Sequence, residues 1–470
     1  MERRPMEKKR FDVAVIGAGP GGYVAAIKLA QNGRSVALIE KNFLGGTCLN
    51  VGCIPTKTLL ANAQIMHKVK RAGEYGIVTG PVTFDFAKMK QRKDAVVEKL
   101  RKSLGTLLQA NKITIVQGEA AFTSPHELKV VGKESGWIEF EQAIVATGSQ
   151  PLDIPAFACD HKKILNSTSI LELTALPKKL AIIGGGYIGC EFASLYAEFG
   201  VKVTILEALP TILSLQGKSL AEALTSSFTK QGIEIQTGVL VQGIEETSSG
   251  VSIRLKDRSP VEADLALVAV GRAIASKGLG LEKAGVQTSD KGAVIVNDKM
   301  RTTVPHIYAI GDVTGQFLLA HVASHQGIVA ASAILGLRAQ MHYNAVPAVI
   351  FTEPEIATVG LSTEQAVAAG YSVTVGRFPF AALGKSIATL DTDGFAEILS
   401  DQKTGQILGA QVIGHEASTL IAEMALAIQN ELTLECLIET IHAHPTLSES
   451  WLEAALIANG TPIHFPPKRK

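Results

Sequence analysis

Cysteine is scarce in this sequence: Cys48, Cys53, Cys159, Cys190 and Cys436 are the only ones in 470 residues. They are too few and too scattered for the disulfide framework of a secreted domain, so the close pair, Cys48 and Cys53, suggests catalysis or a metal in a reducing compartment. A surplus of either charge is missing too. Lys and Arg total 45 against 44 Asp and Glu, so neither nucleic acid nor an anionic membrane finds an electrostatic footprint. Nor is there an unbroken apolar run fit for a membrane span. The longest stretch free of Asp, Glu, Lys and Arg, Val313 to Leu337, is interrupted by His321, Ser324, His325 and Gln326 and diluted by three glycines. The basic start, Met1 to Arg10, precedes an apolar run containing Asp12 and a glycine cluster, which a strand explains better than a signal peptide. With no Ser/Arg-rich leader either, a cytoplasmic protein of bacterial type is expected.

What is present is a chain for several cores. At 470 residues, 46% hydrophobic and 19% charged, it exceeds what one core supports and suits about three or four domains. Its clearest signal is a repeat. A β-rich run from Phe11 to Ile16 leads into Gly17-Ala18-Gly19-Pro20-Gly21-Gly22, then a helical segment, Tyr23 to Gln31, and a strand, Ser35 to Glu40. The same order returns with Leu180 to Ile183, Gly184-Gly185-Gly186-Tyr187-Ile188-Gly189, a helix from Glu191 to Phe199 and the strand Lys202 to Glu207. In both copies the acid stands 18 positions past the last glycine.

A lone GxGxxG is weak, and a glycine-rich turn that only packs a helix is its plain alternative. Two copies with matching strands and acids are strong, because each residue has a separate mechanical job. The first glycine makes the turn, the second admits a pyrophosphate to the backbone, and the third lets helix and strand pack. The helix N-terminus receives the phosphate charge and the acid accepts from ribose hydroxyls. The chain should therefore bind two dinucleotides. Glu207 also disfavours a 2′-phosphate, and no basic residue follows it before Lys218, so the second site should prefer NAD to NADP.

Two more apolar strands end in Ala146-Thr147-Gly148-Ser149 and Ala269-Val270-Gly271-Arg272, and are read as closing strands of the two dinucleotide domains. His306 to Ile310 leads as a strand into Gly311-Asp312, with a helix starting within Phe317 to Gly327. After Val346, strand-like runs at Ser372 to Val375, Ala396 to Leu399 and Ile407 to Val412 precede helices. The expected fold is α/β, with two Rossmann-like dinucleotide-binding domains plus a C-terminal α+β domain.

The chemistry-bearing residues stand at the two ends. Gly45-Gly46-Thr47-Cys48-Leu49-Asn50-Val51-Gly52-Cys53-Ile54-Pro55-Thr56-Lys57 follows directly after Glu40. On an irregular first helical turn the two sulfurs can reach bonding distance. Such a pair exchanges with a substrate thiolate when a helix N-terminus or a cation, here Lys57, favours one of its thiolates. A structural staple and half a zinc site are the plain alternatives, although no CxxC or HxxxH lies beside the pair. Near the other end, His442-Ala443-His444-Pro445-Thr446-Leu447-Ser448-Glu449 offers a histidine with a carboxylate to take a thiol proton. Taken alone, such a histidine is more often plain surface.

Together the GGTCLNVGCIPTK segment, both fingerprints, YAIGDV and HAHPTLSE resemble the pyridine nucleotide-disulfide oxidoreductases along essentially the whole chain. Within that family the resemblance is to enzymes that oxidise protein-bound dihydrolipoamide to lipoamide through a redox-active disulfide and FAD, reducing NAD to NADH. It implies that residues 1–150 bind FAD, 151–275 bind NAD, 276–345 complete the FAD site, and 346–470 form the dimerisation domain. Gly17, Gly19, Gly22 and Glu40 would hold FAD, with Lys57, Ala120, Ala146, Thr147, Gly148, Asp312, Ala320 and His321. Gly184, Gly186, Ile188, Gly189, Glu207, Val241 and Gly271 would hold NAD. Cys48 would be the interchange thiol, Cys53 the sulfur against the flavin, and Lys57 would lie near flavin N5, paired with Glu191. His444 would be the base and Glu449 its orienting carboxylate, reaching the cysteines of the other subunit of a homodimer. The family's lipoyl-bearing acyltransferase core would be the partner.

Thr56 and Ala120 depart from the family's frequent Ser and Gly, both small for small. The rival readings are a glutathione-reductase-like disulfide reductase and a non-catalytic FAD-containing assembly subunit. The first lacks its arginines near Glu207, and intact Cys48, Cys53 and His444 speak against the second. A mercuric reductase would add a cysteine pair near its C-terminus, where the last cysteine here is Cys436.

Overall fold

A computed structural model describes residues 8–467. The first seven residues of the basic start and Lys468 to Lys470 lie outside the described residues.

The run Val13-Ala14-Val15-Ile16 is buried at every position, the signature of a parallel strand covered on both faces. It belongs to the strand Lys8–Ile16, flanked by parallel Val36–Glu40 and Gly136–Val145. Register aligns Ile16 with Ile39 on one side and Val145 on the other. The three strands therefore end level, and Gly17, Glu40 and Ala146 emerge at one edge. Ile307–Ala309 pairs in parallel with Gly136–Val145, and the Ile310 N–H donates to Val145 O (2.9 Å), which delivers Gly311-Asp312 to that edge.

The second sheet repeats the plan. Lys179–Ile183 lies between parallel Lys202–Leu206 and Leu265–Val268, with Ile183 level with Leu206 and Val268. Gly184, Glu207 and Ala269 thus emerge together. Both sheets present their loops at the carboxyl ends of the strands, where open α/β sheets bind ligands. The chain crosses between the sheets twice, and the crossings, Ser149–Pro151 and Arg272–Ile274, pair as an antiparallel ribbon.

The carboxyl-terminal unit is an antiparallel sheet in the order Ala348–Ile350, Glu355–Gly360, Ile407–Gly414, Phe395–Asp401, Val373–Pro379. The helices Ala417–Gln429 and Glu449–Ala458 contribute to its core. Trp451 is fully buried and its indole N–H donates to Leu420 O at 3.1 Å, which satisfies the ring's one polar atom. The α/β class with two Rossmann-like domains and an α+β carboxyl-terminal domain is the architecture expected from the sequence.

Some elements differ from the sequence reading. The fingerprint helices are Pro20–Gln31 and Tyr187–Glu198, starting before the expected Tyr23 and Glu191 because the third glycine of each motif lies inside the first turns. The 25-residue helix Phe86–Ala110, capped by Asp85 on the Lys88 N–H (3.0 Å), is an element that no sequence signal above announces. Among the described residues no helix is long and apolar enough to cross a membrane.

Candidate active site

The two fingerprints fold alike to a few degrees. Gly17 has φ +104° and Gly184 φ +105°, the left-handed region that favours glycine. A Cβ on Gly17 would stand 2.4 Å from Ala146 O, and one on Gly184 would stand 2.4 Å from Ala269 O. Gly22 and Gly189 press on the first glycine of their own motifs, where a Cβ would fall 1.9 and 2.0 Å from its carbonyl oxygen. Each acid braces its loop. Glu40 accepts from the Ala18 and Asn42 N–H groups, both at 2.8 Å, and Glu207 from those of Gly185 (2.6 Å) and Leu209 (2.8 Å).

Both fingerprint helices begin at a glycine, Gly19 or Gly186, with no side-chain cap. Their first N–H groups are left for an anion, and neither loop has a Cβ at the point where a pyrophosphate backbone must approach. The residues present fit one dinucleotide at each edge. Around the first, the Thr147 hydroxyl donates to Ala275 O (2.8 Å), and Asp312 accepts from the Ser149 hydroxyl. Arg272 supports this from the side, donating to Ser149 Oγ (2.7 Å) and O (2.9 Å), a role the sequence reading missed.

Ala120 is buried with its methyl in the core of the first domain, so only its backbone can face a cofactor. Ala320 opens the helix Ala320–Ile334, and the exposed His321 already has Nε2 against Pro347 O (2.8 Å). Ile188 sits in the first turn of its helix, Gly271 has φ +129°, and Val241 opens a strand just after Val239, whose N–H donates to Glu207 O (2.9 Å).

The cysteines sit across from the first loop. Cys48 lies in the short helix Gly46–Val51 and Cys53 opens the helix Cys53–Lys70. They form a disulfide, with Cα atoms 4.6 Å apart. Gly46 (φ +58°) lets the segment close on the fingerprint, since a Cβ there would stand 2.7 Å from Gly19 Cα. Asn50 ties the turn down by donating to Leu44 O and Gly46 O, both at 2.9 Å. One turn past Cys53, Lys57 Nζ meets Glu191 Oε1 (2.9 Å) and Oε2 (2.7 Å), so the expected pair is in contact. Glu191 is on the second fingerprint helix, so this ion pair joins the disulfide helix to the second dinucleotide domain.

His444 Nδ1 lies 2.8 Å from Glu449 Oε1, and Glu449 Oε2 accepts from the Thr446 N–H at 2.8 Å. Burial pushes the Glu449 carboxyl up, but the Thr446 N–H and His444 outweigh it and hold the group below its ordinary range. The carboxylate form is thus favoured beside the ring. His444 itself is largely exposed, with 76% of its side chain accessible. Among the described residues no hydrogen bond or ion pair joins it to the cysteines of its own chain. No group of three or more His, Cys, Asp and Glu among the described residues is arranged to hold a metal.

A disulfide lies beside one dinucleotide-type loop and an ion pair leads from its helix to another, an arrangement suited to a dinucleotide-linked disulfide oxidoreductase. Residues 11–327 match the model of the pyridine nucleotide-disulphide oxidoreductases, and residues 346–455 match the dimerisation domain of the same family. The chain belongs to that family, whose cofactors are FAD and NAD, and it pairs as a homodimer. It is 51% identical to a dihydrolipoyl dehydrogenase of Chlamydia pneumoniae over 98% of this chain and 99% of the relative. To the Geobacillus stearothermophilus enzyme of the same name it is 45% identical, over 97% and 98%. Among solved structures, LpdA of Mycobacterium tuberculosis superposes with a TM-score of 0.90 at 28% identity, covering 95% of this chain and 99% of that one. The HOCl-induced flavoprotein disulfide reductase RclA of Escherichia coli gives 0.87 at 32%, again over 95% and 99%.

Proposed function

We propose that this chain is a dihydrolipoyl dehydrogenase, oxidising protein-bound dihydrolipoamide to lipoamide with NAD as acceptor. The observation that carries the reading is the Cys48–Cys53 disulfide held against the Gly19 loop and linked through Lys57 to Glu191 of the second fingerprint helix. We divide the chain at residues 150, 275 and 345.

In this reading His444 of the partner subunit, its ring aligned by a carboxylate, takes a proton from one substrate thiol. The resulting thiolate attacks Cys48 Sγ, the Cys48–Cys53 bond breaks, and Cys53 leaves as thiolate. The second substrate thiol, deprotonated in turn, attacks the substrate sulfur joined to Cys48. This closes the lipoyl disulfide and leaves both electrons on the enzyme cysteines. Bound FAD supplies the two-electron relay from Cys53 to nicotinamide. Gly17, Gly19, Gly22 and Glu40 hold it, with Ala120, Ala146, Thr147, Gly148, Asp312, Ala320 and His321 around it. Gly184, Gly186, Ile188, Gly189, Glu207, Val241 and Gly271 hold NAD, and Lys57 with Glu191 sets the charge beside Cys53. The sum is dihydrolipoamide plus NAD+ giving lipoamide, NADH and a proton. The lipoyl group is presented by the acyltransferase core of a 2-oxo acid dehydrogenase complex, in the cytoplasm.

The test is anaerobic steady-state turnover of the purified protein. NADH formation with dihydrolipoamide and NAD, and little with NADP or with glutathione as the thiol, is the expected result. Turnover confined to NADP or glutathione would contradict the substrate reading and leave the fold untouched.

A further inference from the structure

The Lys57–Glu191 pair has a third member. Phe351 lies just past the strand Ala348–Ile350 of the carboxyl-terminal sheet, and it contacts both partners at once. Its N–H donates to Glu191 Oε1 at 3.0 Å, and its ring lies under Lys57 Nζ, 4.5 Å from the centroid. Two residues on, the Glu353 N–H donates to Ser194 Oγ (2.9 Å), so the same strap is pinned along the second fingerprint helix at two places.

Lys57 needs such help. Glu191 is nearly enclosed, with 6% of its side chain accessible, whereas 32% of the Lys57 side chain is accessible, and an ammonium on a four-carbon stem has many rotamers. The carboxylate restrains the ammonium from one side only. A ring face within about 6 Å attracts it from another, and that attraction strengthens as water is excluded.

We propose that Phe351 is a positioning residue of the redox centre, its ring and its N–H together fixing the Lys57–Glu191 pair on the helix that Cys53 opens. This rests on the role given to Lys57 above. A lysine four residues past the cysteine lies on the same helix face, where its charge favours the Cys53 thiolate once the disulfide is reduced. Because Phe351 belongs to the dimerisation unit, the proposal ties the thiolate to the packing of that unit on the cofactor domains.

The experiment uses the holoenzyme, reduced at its cysteines. The midpoint of Cys53 thiolate formation is followed against pH by the long-wavelength thiolate-to-flavin absorption. Lys57→Met should raise the midpoint by about 1 unit or more. Phe351→Leu should raise it by about half a unit and lower kcat about threefold with KM little changed, and Phe351→Tyr should restore both. Should Phe351→Leu fail to fold, fluorinated phenylalanines at 351 keep the shape while draining the ring's charge, and the midpoint should climb with each fluorine. A flat fluorine series, or an unmoved midpoint in a folded Phe351→Leu, beside a shifted Lys57→Met overturns the proposal alone. An unmoved midpoint in Lys57→Met overturns it together with the role of Lys57.

Discussion

The two dinucleotide loops share their backbone and differ in what the chain does next. After each acid the chain returns to donate an N–H to the carbonyl of the residue following the first glycine. Gly45 donates to Ala18 O (2.8 Å), and Leu213 donates to Gly185 O (2.9 Å). Both returning residues have positive φ, +94° for Gly45 and +48° for Leu213. From that shared point the first copy runs on into Gly46, Cys48 and Cys53, and the second into Leu215, a residue 94% exposed. In the function proposed above, the repeated glycines provide dinucleotide binding and the return segment of the first copy adds the chemistry. The loops differ in one more way: Gly185 stands where the first copy has Ala18, because Ile212 Cγ2 would come within 2.7 Å of a Cβ.

The largest test of this contrast is Cys53→Ser, which alters the first return segment alone. Turnover of dihydrolipoamide should fall by a factor of about a thousand or more, with flavin content unchanged. Next are two glycines, one on the first return segment and one in the second fingerprint loop. Gly46→Ala forces a Cβ to 2.7 Å from Gly19 Cα at φ +58°, and should cost about 1–3 kcal/mol in thermal unfolding with loss of bound flavin. Gly186→Ala meets nothing within 4 Å, so stability should stay within about 0.5 kcal/mol while the KM for NAD rises. Equal behaviour of the two variants would break the comparison. Glu207→Ala removes the acceptor of two loop N–H groups and, in our reading, of the ribose, and should raise the KM for NAD about tenfold with dihydrolipoamide binding unaffected.

The smallest expected effect is on pH. The Glu198 hydrogen bond raises the His67 pKa above its ordinary value of 6.5, against the burial that lowers it. A raised histidine stabilises the folded state in full below 6.5 and loses that contribution as pH rises through the folded value. The contact between the Cys53–Lys70 and Tyr187–Glu198 helices should therefore weaken toward pH 8 by less than about 1 kcal/mol, and His67→Gln should remove the dependence. Unfolding curves at several pH values check it.

The repeat was legible because its glycines and acids are local in sequence and each has one mechanical job. The cysteine segment, with Lys57 as its cation, and the histidine–glutamate dyad were legible as side-chain types, and the pairing of Lys57 with Glu191 only through the family resemblance. Phe351 was not legible, since it stands 160 positions from Glu191 and acts through a backbone N–H and a ring face, which leave no spacing signal. Helix Phe86–Ala110 escaped because it buries only Phe86, Lys93, Leu104 and Leu108, too few to mark a periodic face. The shared return to Ala18 and Gly185 was hidden for a similar reason: Gly45 and Leu213 have nothing in common but a hydrogen bond and the sign of φ.

The most direct measurement is the pair of half-reactions of Cys48→Ser, followed by anaerobic rapid mixing at the flavin absorption. Bleaching with NADH as fast as in the wild type is expected, because the second loop is intact, and none with dihydrolipoamide, because the first return segment has lost its attacked sulfur. Bleaching of the variant by dihydrolipoamide at the wild-type rate would contradict the assignment of the chemistry to that segment.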